Sequence, residues 1–305
     1  MITVDPNEIR TRGAEFIRQS ENDFFDRFLQ ACQKALSLIR ERNAKVLALS
    51  GPSCSGKTTS SERLVDFFSR VGIDTAVISI DDFFRSFPAP GEIDEDDELP
   101  DFDSVSAIDL DAFSDCIDQI SSGDRVYVPI YDFDCRRRCS MRRLDTEGID
   151  LYIFEGIQAF YPEVEELLRH VPSVTMFVNV DDTLRIGEEE FSGYDLRLCR
   201  RICRDNGKRA TEPSFTLRMW ENVISNEKKN ILPNAADADV KVSTLLPYGP
   251  CVLREELLRV LPSVPESLPE EKAEAERLIG LLSPLPSLAP TLVPPGSLFR
   301  EFLDV

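Results

Sequence analysis

From residue 46 the chain runs VLALS, then GPSCSGKT, then a stretch with helical spacing to about Arg70. Gly51 to Thr58 fit G-x-x-x-x-G-K-[ST], and an apolar strand before it with a helix after it is the context in which this pattern holds phosphate. Gly51 and Gly56 let the backbone fold into a concave nest whose N–H groups point at phosphate oxygens, and the following helix adds its positive end. Lys57 is placed to reach the β and γ phosphates, and the Thr58 hydroxyl to complete a Mg²⁺ shell. Gly51, Ser53, Cys54, Ser55, Gly56, Lys57, Thr58 and Thr59 are therefore the candidate nucleotide-binding set, with ATP and Mg²⁺ as the expected cofactors.

The rest of the pattern agrees with such a loop. AVISI (76–80), LYIF (151–154), VTMFVNV (174–180) and VKVST (240–244) are short, continuously apolar runs, and RVYVPIYDF has strand composition. IDLDAFSDCIDQI between them has helical spacing. Strands alternating with helices predict an α/β fold with a mostly parallel sheet covered on both faces, the three-layer sandwich of P-loop NTPases. Phe16, Ile17, Phe24, Phe25, Phe28, Leu29, Leu36 and Ile39 predict one or two helices over residues 1–43. The unit that carries the loop is expected over 44–247, including a helical, basic segment at about 195–230. A Pro- and Leu-rich extension packed on it follows over 248–305, where prolines restrict long helices to 270–282.

Charge bounds the partners. The chain has 305 residues and a net charge of −20, which argues against a nucleic-acid surface, because duplex binding needs a basic face. A single histidine, His170, rules out a cluster of His metal ligands and sits at an apparent helix end. No leader and no apolar run near the ~18 residues of a membrane span can be read, so a soluble, cytoplasmic protein with reduced thiols is expected. Eight cysteines include two pairs four apart, Cys135 with Cys139 and Cys199 with Cys203. A four-thiolate zinc site is disfavoured, because structural zinc ligands usually sit on tighter knuckles. Cys199 and Cys203 lie in an arginine-rich helical pattern and are expected to face a core.

Two carboxylates follow buried strands, where open parallel sheets place ligands: Asp81 after AVISI and Glu155 after LYIF. Asp81 is the candidate to orient an attacking hydroxyl and take its proton, with Asp82 the weaker neighbour. Thr58, Asp81 and Glu155 form the candidate metal set. The acidic loop 92–103 reads as solvated. In so acidic a chain, the cluster Arg185, Arg197, Arg200, Arg201, Arg204, Lys208, Arg209 and Arg218 needs a reason. Trp220 reads as a core anchor behind it.

Taken together, GPSCSGKTT, SIDDFF, VPIYDF, IFEGI and RRICRD resemble the uridine kinase and phosphoribulokinase family of P-loop kinases. DFDSVSAIDL, TLRMWENVISNE and SLFREF resemble a bacterial uridine-kinase-like group that often carries an N-terminal TGS region, for which this sequence lacks room. The resemblance covers about Phe16 to Phe302. It implies Asp81 as the base, Thr58 and Glu155 at the metal, and Asp103 near sugar hydroxyls of the acceptor. Phe84, Tyr131 and Phe133 would line the acceptor pocket, where Arg136 stands in place of a pyrimidine-reading histidine. Lys57, Arg201 and Arg204, with Lys208 or Arg209, would act on the phosphates, Arg201 also reaching the acceptor. The implied activity is ATP-dependent phosphorylation of a small-molecule hydroxyl, with the 5′-hydroxyl of uridine or a related nucleoside as leading acceptor. A sugar or polyol kinase and a non-catalytic nucleotide sensor remain as alternatives. DTEG (145–148) superficially fits a GTPase D-x-x-G, but an Arg-rich loop is expected before it and no [NT]-K-x-D occurs. An exposed N-terminal helix pair would offer a surface for a homo-oligomer.

Overall fold

The computed structural model describes residues 1–87, 104–133 and 135–303, so Asp103 and the acidic loop expected at 92–103 lie outside the described residues. A short strand β1 (Ile2–Val4) leads into α1 (Pro6–Arg42), a single long helix kinked where Arg12 leaves helical geometry (φ −128°, ψ 25°). Then come β2 (Val46–Ser50), α2 (Lys57–Arg70) and β3 (Thr75–Ser79), whose end passes into a 3₁₀ turn, Ile80–Phe83. They are followed by α3 (Leu110–Ser122), β4 (Tyr127–Asp132), β5 (Arg137–Arg143), β6 (Leu151–Glu155), α4 (Pro162–Leu168) and β7 (Ser173–Asn179). Next are β8 (Leu184–Ile186), β9 (Glu189–Phe191), α5 (Gly193–Arg209), α6 (Pro213–Asn226), α7 (Leu232–Ala235) and β10 (Val240–Ser243). The described chain ends with α8 (Gly249–Val260), α9 (Pro269–Leu282) and a 3₁₀ segment, Leu298–Phe302.

The central sheet has the order β10-β7-β2-β6-β3, and every pair in it is parallel. Its strands are apolar on both faces, and β2 shows why. Leu47 and Leu49 enter one core, formed with α1, α2, α5, α6, α8 and α9, while Val46 and Ala48 enter a second core formed with α3 and α4. Alternate residues thus bury themselves in opposite layers, which gives the expected three-layer α/β sandwich. Arg42 at the end of α1 clamps Asp239 at 2.6 and 2.8 Å, and Asp239 also accepts from the Thr175 amide and hydroxyl, fixing α1 to the β7–β10 edge.

The structure corrects several readings. β4 lies outside the central sheet: it pairs antiparallel with β5, and Tyr127 and Ile130 on it are exposed. The Arg-rich stretch before DTEG is therefore a strand and not a loop; it carries RRCSMRR, whose polar, exposed side chains give no apolar signature. AVISI is a strand only to Ser79. α8 precedes the proline-rich stretch and was not expected, nor was the small sheet β1-β8-β9. Among the described residues no helix is long and apolar enough to cross a membrane.

Candidate functional site

The loop between β2 and α2 folds as its glycines require. Cys54 and Gly56 have positive φ (60° and 87°), and a Cβ on Gly51 would stand 2.1 Å from the Val178 carbonyl oxygen, so no larger residue fits there. Lys57, the first residue of α2, donates from Nζ to the Pro52 carbonyl at 3.2 Å, and Ser60 Oγ donates to the Gly56 carbonyl at 2.8 Å. The Ser55 hydroxyl is buried without a hydrogen-bond partner among the described residues, as an atom waiting for a ligand would be. Thr58 is exposed and Thr59 half-buried at the start of the helix.

The next two strands of the sheet on one side, β6 and then β3, carry acids to the same end as the loop. Glu155 ends β6 with Leu49 of β2 on one side and Ser79 of β3 on the other, and Asp81 stands two residues beyond Ser79. Burial pushes the Glu155 carboxyl up to about 7; Lys57 pulls it down, while Asp81 and Glu301 push it further up. Glu155 thus feels the charges of Lys57, Asp81 and Glu301. Asp82 is tied elsewhere: it accepts a backbone hydrogen bond from Tyr131 and lies 3.8 Å from Arg142, and burial raises its carboxyl. A lysine ammonium beside a hydroxyl and two carboxylates suits a triphosphate with a hard, oxygen-seeking cation. Thr58, Asp81 and Glu155 are the residues here that could hold Mg²⁺, and the glycine cradle and orphaned Ser55 hydroxyl fit a phosphate.

The basic cluster divides: Arg197 and Arg200 are buried, Arg201 and Arg204 half-buried, and Arg185, Lys208, Arg209 and Arg218 exposed. On α5, Arg197 and Arg200 are 1% and 2% exposed. Arg197 donates to the Ser53 carbonyl (3.1 Å) and to Glu227 (2.7 Å), lying over the Tyr194 and Trp220 rings. Arg200 donates to the Cys54 carbonyl (3.2 Å) and the Thr244 carbonyl (2.9 Å), between the Phe299 and Phe302 rings. Arg201 donates to Ser53 Oγ at 2.9 Å. One face of α5, at spacings of three and four, therefore holds the Ser53 and Cys54 carbonyls and the Ser53 hydroxyl of the loop. Arg201, Arg204 and Arg209 share the buried carboxylate of Asp205, at 3.3, 2.8 and 3.7 Å. Lys208 is exposed and donates to the Arg300 carbonyl at 3.3 Å.

Phe84, Tyr131 and Phe133 come together as edge-on rings with centroids 5.0 to 6.2 Å apart. Phe84 and Tyr131 are buried; Phe133 is 57% exposed. Arg136 turns the chain at the hairpin with φ 54°, and its carbonyl accepts from the Phe87 amide at 2.9 Å. The Tyr131 hydroxyl and Arg136 Nη1 are both buried without partners among the described residues. Arg138 fixes the hairpin by donating to Asp109 at 3.0 Å.

Sequence reasoning passed over Asp205, Arg197, Arg200, Thr244 and Glu301 as site residues. Asp205 is the acid in RRICRD, a signal that was present. Thr244 Oγ1 donates to the Ser55 carbonyl at 2.7 Å, bracing the loop from the end of β10. Glu301, 4.0 Å from Arg204, has one buried oxygen without a hydrogen-bond partner among the described residues; it is the acid of SLFREF, a signal that was also present. His170 is exposed just beyond α4. Trp220 is 8% exposed, and Cys199 and Cys203 face the core as expected.

Uridine kinase from Saccharomyces cerevisiae is 25% identical over 202 residues, 66% of this chain and 37% of that protein. Inorganic pyrophosphatase TTM2 from Arabidopsis thaliana is 27% identical over 221 residues, 72% of this chain and 29% of that protein. The chain thus spans about a third of the length of these relatives. Among solved structures, D-glycerate 3-kinase from Cryptococcus neoformans var. grubii aligns over 60% of this chain and 80% of its own, at 15% identity and a TM-score of 0.42. The model of the phosphoribulokinase / uridine kinase family matches residues 46–247, two-thirds of the chain, which therefore belongs to that family.

Proposed function

We propose that this chain transfers the terminal phosphoryl group of ATP to a hydroxyl of a small molecule, the 5′-hydroxyl of uridine or a related nucleoside being the leading acceptor. The observation that carries this reading is the convergence at one sheet edge of a glycine-cradled loop, Lys57, and the charge-coupled acids Asp81 and Glu155. Membership of the family and the yeast uridine kinase relative support it.

In this reading Asp81 orients the acceptor hydroxyl and takes its proton as the oxygen attacks the terminal phosphorus and ADP leaves. Phosphoryl transfer has a loose transition state, so positioning and charge neutralisation carry most of the catalysis. The N–H groups of Ser53 to Gly56, with Lys57, hold the phosphates; Arg201 and Arg204, with Lys208 or Arg209, supply positive charge at their edge. Mg²⁺, held by Thr58, Asp81 and Glu155, would neutralise phosphate charge. The aromatic trio Phe84, Tyr131 and Phe133 would receive the acceptor's ring or sugar, and the Tyr131 hydroxyl and Arg136 Nη1, without hydrogen-bond partners among the described residues, would read its polar groups. Asp103 is assigned to sugar hydroxyls. The catalytic unit would span 44–247, including a lid at 195–230, with 1–43 and 248–305 as its supports.

The test is ADP release by the full chain with Mg²⁺-ATP against a panel of nucleosides, sugars and polyols. Nucleoside-dependent release is expected. ATP binding without release on any acceptor would contradict the reading and favour a nucleotide sensor.

A further inference from the structure

The β4–β5 hairpin carries a group of side chains that phosphoryl transfer does not use. Six of the eight cysteines are buried; Cys135 and Cys139 are the two that are not, Cys135 in the hairpin bend and Cys139 on β5. Their sulfurs are 4.0 Å apart. The turn brings a carboxylate to them, since the Cys135 amide donates to Asp132 Oδ1 at 3.1 Å, and the three ligand atoms lie within 4.8 Å of one another.

The distances decide between two chemistries. Sulfurs bound at about 2.3 Å to one tetrahedral Zn²⁺ stand about 3.8 Å apart, close to the separation seen, whereas a disulfide requires about 2.05 Å. Two thiolates and a carboxylate are also a donor set that selects a thiophilic divalent cation over Mg²⁺ or Ca²⁺. We propose that Asp132, Cys135 and Cys139 bind Zn²⁺ or a cation of its class, with the fourth position left to water or an incoming ligand.

The surroundings suit such a site. Deprotonated, the three ligands carry three negative charges, which a divalent ion leaves partly uncompensated, and the sequence sets Arg136 and Arg137 between the two thiols. Arg138 is committed to Asp109 and Ser86, so the start of β5 is already anchored. The ion would cross-link the end of β4 to β5 and hold the Asp132–Cys139 bend, which carries Phe133 and Arg136. Its effect on an acceptor rests on the kinase reading; the metal site itself does not.

The other six thiols are poor competitors, because all of them are buried. The experiment titrates Zn²⁺ into the reduced, metal-stripped full chain against a chromophoric chelator, and repeats the titration with Co²⁺ to record the thiolate charge-transfer band. The proposal expects one equivalent bound with Kd below about 1 µM and a thiolate band. Binding should weaken about 100-fold or more in Cys135→Ser and Cys139→Ser, and less in Asp132→Asn. Circular dichroism of these variants should match the parent, because both cysteines lie on the hairpin surface. Three outcomes would overturn the proposal: no binding at about 100 µM Zn²⁺, one equivalent retained in the Cys135→Ser/Cys139→Ser double variant, or a Cys135–Cys139 disulfide in a chain that, once reduced, binds no metal.

Discussion

Glu155 shows how a single residue can be costly to the fold and useful to the site. Its folded carboxyl titrates at about 7, against about 4.3 in an unfolded chain. The folded state therefore holds the proton more tightly, and the stability this group contributes is complete below the unfolded value and lost as pH rises through the folded one. Glu155→Gln should then gain stability relative to the parent between about pH 5 and pH 8, by about 1–3 kcal/mol. Thermal melts across that range check it; parallel pH profiles for the two proteins would contradict it. Because a metal needs the deprotonated carboxylate, Mg²⁺-nucleotide affinity in the parent should fall as pH drops below about 7. Phe133 lies at the opposite extreme. At 57% exposure its truncation to Ala should change stability by no more than about 0.5 kcal/mol while raising the acceptor KM, which steady-state kinetics on the acceptor found in the panel would measure. Residue identity was legible in sequence where chemistry is local to a motif, as for Gly51, Lys57 and the strand-end acids. The burial of Arg197 and Arg200 was not, because composition reports charge and not the partners that let charge be buried.

At the scale of elements, α5 is the piece whose role the structure changes most. Arg201 and Arg204 were expected to act on phosphates, and both also pair with Asp205; Arg197 and Arg200, for which no role was expected, donate to the carbonyls of Ser53 and Cys54. The Arg197–Glu227 pair is sealed at 1% and 2% side-chain exposure. Removing one partner leaves the other charge buried and alone, which costs about 3–5 kcal/mol. Glu227→Ala should therefore lower the unfolding free energy by about that much, measured by urea denaturation, whereas a loss under about 1 kcal/mol would mean the pair is not buried in solution. The β2–loop–α2 unit was legible because strand, turn and helix signals lie within one local window. β5 was not, since an exposed strand of RRCSMRR has no apolar alternation, and the three-residue strands of the β1-β8-β9 sheet are too short to show a period.

Over the whole molecule, an excess of acid and a phosphate site coexist because positive charge is gathered locally. The chain carries a net charge of −20, while Lys57 and the arginines of α5 meet at the loop. The C-terminal segment joins them from the far end of the sequence. Leu298 meets the face of Gly56, Phe299 and Phe302 enclose Arg200, and Glu301 reaches the Arg204 side. Alternating strands and helices made the sandwich legible; such long-range closure was not, because it depends on which surfaces meet after the sheet has formed. The central claim is that the strand-end acid Asp81 acts on an acceptor hydroxyl while the loop holds ATP. The most direct measurement compares Asp81→Asn with the parent on the best acceptor from the panel, following kcat and ATP affinity together. The account predicts a fall in kcat of about 10²–10⁴-fold with ATP affinity within a few-fold of the parent; unchanged turnover would contradict it.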